Sequence, residues 1–118
     1  MGVGMRYVQE IIVESGSGEA VTVQGSMDDP RFPVIRIGGE LDLSSVESVK
    51  LGMEPYLRDE TTRVTFDLEE LTFMDSSGIA LLVQVANRVE SVELRNVTPI
   101  VRRVLQATGL LEAFGLAP

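Results

Sequence analysis

The chain has 118 residues, 44% hydrophobic and 24% charged, as expected of one globular domain with a real core. It contains neither cysteine nor histidine, which excludes disulfides, thiol catalysis, thiolate metal sites and a Ser-His-Asp triad, and removes the commonest general base and metal ligand. The net charge of −8 leaves no basic footprint for direct nucleic-acid binding and points to a protein partner with a basic face.

The chain opens "MGVGMRYVQEIIVES". Arg6 stands where a myristoylation signal needs Ser or Thr, and no charged-then-apolar leader is present. No apolar run approaches the ~20 residues of a membrane span, so no membrane is expected and the cytoplasm is the default. Residues 6–15 are weakly patterned and suit either a strand or a short helix. "GSGE" at 16–19 is a turn or linker. Residues 20–27, "AVTVQGSM", alternate as a strand, and "DDPRFP" at 28–33 is a turn with two prolines. "VIRIGGELD" at 34–42 gives a second strand, antiparallel to the first because the turn between them is short.

Residues 43–60 predict a helix, with Ser44 and Glu47 as a capping box and Val46, Val49, Met53 and Leu57 on its apolar face. Pro55 is expected to kink or shorten it. "RVTFDL" at 63–68 is a buried strand, and "EELTFM" carries the chain on to "DSSG". Residues 77–90 form the clearest helix, with Ile79, Leu82, Val83, Ala86 and Val89 on one face. "SVELRNV" at 91–97 is a strand. Residues 98–109 carry nearly every helix signal: Thr98 caps, Pro99 opens and Gly109 closes, with Ile100, Val101, Val104 and Leu105 inward. "LLEAFGLAP" is a last short strand or turn of helix. Alternating strands and helices imply a mixed, mainly parallel sheet of four to five strands, an α/β fold with its helices on one face.

Two places stand out. Asp75, Ser76, Ser77 and Gly78 sit where a strand ends and a helix begins. Capping the helix is sufficient reason for Asp and Ser there. The same helix N-terminus also tolerates an added phosphate, so a serine in it can be modified without unfolding its own helix. Asp42, after "GGEL", is a turn acid on spacing alone. Gly38-Gly39 lacks the remaining glycine of a dinucleotide loop. Asp67, Glu69 and Glu70 suit a solvated acidic loop better than a metal cluster. Charge is concentrated here, with ten acids against Lys50, Arg58 and Arg63 between residues 40 and 75, a balance of −7.

"VIRIGGELDLSSVESVK", "VTFDLEELTFMDSSGIALLVQVANRV" and "LRNVTPIVRRVLQATGLLEAF" together resemble the STAS domain, and within it the bacterial anti-sigma factor antagonists. The match covers roughly residues 21–114, leaving 1–18 as an N-terminal extension and 19–118 as the STAS domain. The resemblance implies that Ser76 is phosphorylated by a partner that is both anti-sigma factor and serine kinase. It implies that the unphosphorylated protein binds that partner and frees a sigma factor, and that a serine phosphatase reverses the mark. It places Asp42, Asp75, Ser76, Ser77 and Gly78 in the partner-binding surface, with Asp42 exposed, so that its loss weakens binding at little cost in stability. No catalysis, cofactor or metal is implied. Other STAS roles are a constitutive transporter subunit and a ligand-sensing module. The extension is expected to be ordered because "YVQEIIV" is too apolar to stay solvated cheaply, and, since antagonists commonly continue past this chain's "FGLAP" into a further helix, to cover the sheet edge that this leaves, in its own subunit or in a homodimer.

Overall fold

The structure, a computed structural model, describes residues 9–14 and 20–116, and for 9–14 the backbone only. The rest of the expected extension, the 16–19 turn and the last two residues lie outside the described residues. Six strands form one sheet: β1 Gln9–Glu14, β2 Ala20–Ser26, β3 Val34–Leu41, β4 Arg63–Asp67, β5 Leu71–Met74 and β6 Ser91–Arg95. Three helices accompany it: α1 Val46–Met53, α2 Ser76–Arg88 and α3 Pro99–Ala107. Short 3-10 turns follow α1 and α3 at Glu54–Tyr56 and Glu112–Phe114.

The sheet is mixed and five ranks wide. β1, β2 and β3 are antiparallel, while β3, β4 and β6 run parallel. The fifth rank position was expected; the sixth strand was not. The "EELTFM" connection contains β5, which pairs with β3 beyond the point where β4 leaves it. Val34–Arg36 of β3 partner β4 and Gly39–Leu41 partner β5, so two short strands share one edge of a long one. A register shift between Gly39 and Glu40 makes this possible. Gly39 has φ +88°, a value that favours glycine, and its N–H donates to the Glu70 carbonyl at 3.0 Å. The paired glycines therefore serve strand geometry, as their poor match to a nucleotide loop suggested.

Alternation along the strands sends Val21, Val23, Ile35, Ile37, Val64, Phe66 and Leu94 to one face, where they meet Val49, Met53, Ile79, Leu82, Val85, Val101 and Leu105 of the helices. The Tyr56 ring, 2% exposed, lies against Gly25, where a side chain would occupy its place. The helix-free face is polar. On it Asp67, 3% exposed, meets the Arg36 guanidinium at 3.5 Å and accepts from Asn96 Nδ2 and the Glu69 N–H, both at 3.1 Å. Asp67 is thus a buried, paired carboxylate, whereas its neighbours Glu69 and Glu70 are solvated as expected. Burial pushes its pKa up, but the bonds from Asn96, Glu69 and Arg36 outweigh that and hold it below the usual range.

Other local expectations also shift. Helix α1 ends at Met53 because Pro55 lies in the tighter 3-10 turn. The buried face of α2 is Gly78, Ile79, Leu81, Leu82 and Val85, rotated from the expected stripe toward Leu81 and Val85. In α3 Val101 and Leu105 are buried, but Ile100 stays 46% exposed at the first turn. Among the described residues no helix is long and apolar enough to cross a membrane.

Candidate functional site

The C-terminal ends of β3 and β5 lie side by side, with Leu41 opposite Met74. Each chain then turns into a helix, so two strand-to-helix loops become neighbours at one end of the sheet. The Asp42 loop leads to α1 and the Asp75 loop to α2.

Asp75 is the N-cap of α2. Its Oδ1 accepts from the Ser77 N–H at 2.8 Å, which satisfies one of the free donors of the first turn. Its Oδ2 accepts from the Leu43 N–H at 3.3 Å, from the other loop. One carboxylate therefore caps its own helix and ties the two loops together. Ser77 contributes its backbone to that cap and is half-buried. Gly78 is buried. A Cβ there would lie 2.5 Å from Met74 Cγ and 3.0 Å from Leu41 Cγ, so glycine lets α2 sit close on the strand ends. Gly78→Ala gains roughly 1 kcal/mol of helix propensity but must displace these neighbours at about 1–3 kcal/mol. A net loss of about 1 kcal/mol is expected in urea unfolding; an unchanged midpoint would show that Met74 simply swings aside.

Ser76 differs from both neighbours. It occupies the first helical position and is exposed. Among the described residues its hydroxyl has no hydrogen-bond partner. The helix positions it, the cap does not use it, and no described residue covers it.

Asp42 organises the first loop. Its Oδ1 accepts from the Ser44 hydroxyl at 2.7 Å, the Ser44 N–H at 3.0 Å and the Ser45 N–H at 3.1 Å. These bonds, led by that from the Ser44 hydroxyl, hold its carboxyl below the usual range against some desolvation. The expected Ser44–Glu47 capping box is not formed: α1 starts at Val46, and a charged oxygen at Asp42 collects the free donors instead. Asp42 is accordingly half-buried and structural as well as available. Asp42→Ala is expected to cost about 1 kcal/mol in denaturant unfolding, as for other lost caps, rather than leave stability nearly unchanged. Retention of full stability would mean that water replaces the carboxylate at no cost.

Three residues of this site escaped the sequence reading. Ser45, fully buried, donates to the Glu40 carbonyl at 2.8 Å and accepts from the Asp42 N–H at 3.1 Å, locking the loop. Leu43, 77% exposed, in the first loop, and Phe73, 43% exposed, in strand β5 just before the second, present apolar side chains at the surface. The site holds no nucleophile–base pair, and among the described residues no group of three or more acids could hold a metal ion. Its chemistry is that of a surface: two carboxylates with most of their bonds internal, a free hydroxyl, and apolar side chains beside them.

This arrangement of a mixed sheet with helices on one face has known counterparts. Residues 22–118 match the STAS domain model. The chain is 38% identical over 82 residues to the anti-sigma F factor antagonist of Lysinibacillus sphaericus, covering 65% of this chain and 70% of that protein. It is 27% identical over 84 residues to an anti-sigma-B factor antagonist of Staphylococcus aureus, covering 68% and 78%. Among solved structures it superposes on an anti-sigma factor antagonist from Mycobacterium paratuberculosis with a TM-score of 0.69 at 23% identity, over 83% of this chain and 86% of that one, a likeness of fold. It also superposes on the Bacillus cell fate determinant SpoIIAA in its phosphorylated form, with a TM-score of 0.62 at 31% identity over 81% and 91%. The chain belongs to the STAS domain family, among the anti-sigma factor antagonists.

Proposed function

We propose that this protein is an anti-sigma factor antagonist switched by phosphorylation of Ser76. Unphosphorylated, it binds an anti-sigma factor that is also a serine kinase and so frees a sigma factor. Phosphate on Ser76 ends that binding, and a serine phosphatase restores it. The protein regulates transcription in the cytoplasm without touching nucleic acid and without catalysis of its own. ATP, Mg²⁺ and the base for phosphoryl transfer all come from the kinase.

The observation that carries this reading is the state of the Ser76 hydroxyl: exposed, unengaged among the described residues, and held at a helix N-terminus by a cap that does not depend on it. A constitutive transporter subunit has no use for such a group. Two antagonist relatives and a structural neighbour solved in a phosphorylated form support the same reading. Asp42, Leu43 and Phe73 supply the contact surface around it, while Asp75, Ser77 and Gly78 hold its shape. The test is phosphotransfer from the cognate kinase with ATP, followed by mass-spectrometric mapping. Ser77→Ala is expected to accept phosphate and Ser76→Ala to refuse it. Phosphate found only on Ser77 overturns the assignment.

A further inference from the structure

The STAS match begins at residue 22, within β2, so β1 is an addition to the shared fold. β1 pairs antiparallel with β2 in an unbroken register, from Gln9 opposite Gly25 to Glu14 opposite Ala20. In the order β1-β2-β3-β4-β6 it lies on the side away from β6, near which the C-terminal 3-10 turn packs. The edge it covers is therefore that of β2.

β2 is the informative strand. Its sequence, "AVTVQGS", holds no charged residue and no proline, two of the devices that keep an exposed edge from pairing with another chain. Its inner side is bonded to β3 from Val21 to Ser26. Stripped of β1, its outer N–H and C=O groups would form a row of unpaired donors and acceptors on a flat, uncharged strand. With β1 in place the sheet ends instead on a strand that holds Glu10 and Glu14.

We infer that β1 is a guard over a self-pairing edge: it occupies the side of β2 that otherwise pairs, antiparallel and about a two-fold axis, with β2 of a second copy. Wherever along β2 the axis falls, no like charges meet, because the strand has none. With the axis at Val23, Val21 stands opposite Gly25 of the second copy and Thr22 opposite Gln24 of the second copy. Such a pair is closed, since each copy offers one β2 edge, so its product is a dimer and not a filament. The inference is independent of the switch at Ser76, and its failure leaves that reading untouched.

The experiment is sedimentation velocity on the full chain with prolines placed in β1. Along an antiparallel edge strand, alternate residues turn their N–H groups toward the neighbour and away from it. Of the two double variants Ile11→Pro with Val13→Pro and Glu10→Pro with Ile12→Pro, one therefore removes ladder bonds to β2. The other removes N–H groups that face outward, where proline is tolerated. The first is expected to gain a dimerisation step with a dissociation constant on the order of 10–100 µM, at least about tenfold tighter than any in the wild type, and the second to behave as the wild type does. Thr22→Lys, added to the dimerising variant, should abolish the step, as a lysine does on an exposed edge. Melting should stay cooperative, because the shared fold begins at β2. Two double variants that behave alike, assemblies larger than pairs, or a dimer indifferent to Thr22→Lys would each overturn the guard. Loss of the cooperative melt in the opened variant would overturn it equally, by making β1 part of the core.

Discussion

Phosphate on Ser76 is expected to lower affinity for the anti-sigma kinase about a hundredfold while leaving this domain folded. A hundredfold requires only about 2.7 kcal/mol. The modification adds roughly −1.5 to −2 charges. Within the free protein the α2 N-terminus favours that charge by about 0.3–1 kcal/mol, and the cap from Asp75 to the Ser77 N–H does not need the Ser76 hydroxyl. In the complex the balance reverses. The phosphate must be desolvated next to the Asp75 carboxylate and the Asp42 loop that Asp75 ties to it, on a surface where a partner also has to cover the exposed Leu43. Burying a poorly paired dianion there costs more than the required difference. Ser76→Ala should bind as the unmodified protein does, and Ser76→Asp should bind poorly. Calorimetric titration of each form against the kinase, beside thermal melts, checks this. A phosphorylated protein that binds as tightly as the unmodified one would sink the switch, and one that melts early would replace it with local unfolding.

Asp67→Ala is expected to cost about 3 kcal/mol of stability, with no direct effect on the Ser76 surface. Removing one partner of a buried pair leaves the other charge poorly compensated, a loss of about 3–5 kcal/mol for a fully enclosed pair. The Arg36 side chain is 26% exposed and the Asp67 side chain 5%, which places the cost at the lower end. The change also removes the acceptor for Asn96 and for the Glu69 N–H. The pH dependence has a definite sign. The folded pKa of Asp67 is depressed, so its contribution is fully present above the unfolded value of about 3.9 and is lost as pH falls through the folded value. Urea unfolding of the wild type should therefore weaken below about pH 4 more steeply than that of the variant, the two curves converging in acid. Replacing both partners, Arg36→Met with Asp67→Leu, should recover most of the loss. A loss under about 1 kcal/mol in the single variant would mean that water reaches Arg36 freely.

The site residues were legible in unequal measure. Asp75 as a cap and α3 from Thr98, Pro99 and Gly109 follow from preferences acting over three positions, but the expected 77–90 helix begins one residue earlier, at Ser76, and ends at Arg88. The capping box at Ser44 was a sound local inference that lost to a nearer acceptor: the ionised Asp42 takes the Ser44 N–H that Glu47 would have accepted, and the Ser44 hydroxyl donates to Asp42 as well. The helical period places Ile100 inward, but in the first turn of α3 Val101 takes the buried position and Ile100 stays exposed. β5 was hidden for a different reason. Its four residues follow β4 almost at once, and Thr72 and Phe73 between its buried ends are both exposed, so no periodic pattern marks it.

The sequence by itself determined where most strands and helices alternate, which end of α2 carries the hydroxyl and that no histidine or thiol chemistry is available, because propensity, capping and composition act locally or need no geometry. Only the tertiary structure decided what that hydroxyl stands beside. The bond from the Leu43 N–H to Asp75 joins positions 32 residues apart. It exists because β3 pairs with β5 after a register shift at Gly39, which brings the ends of Leu41 and Met74 level. Two other pairings, β3 with β4 and β4 with β6, set Asp67 beside Arg36 and Asn96 on the helix-free face. A carboxylate in a chain of acids carries no local mark of which partner it will meet; the register of the sheet makes that choice.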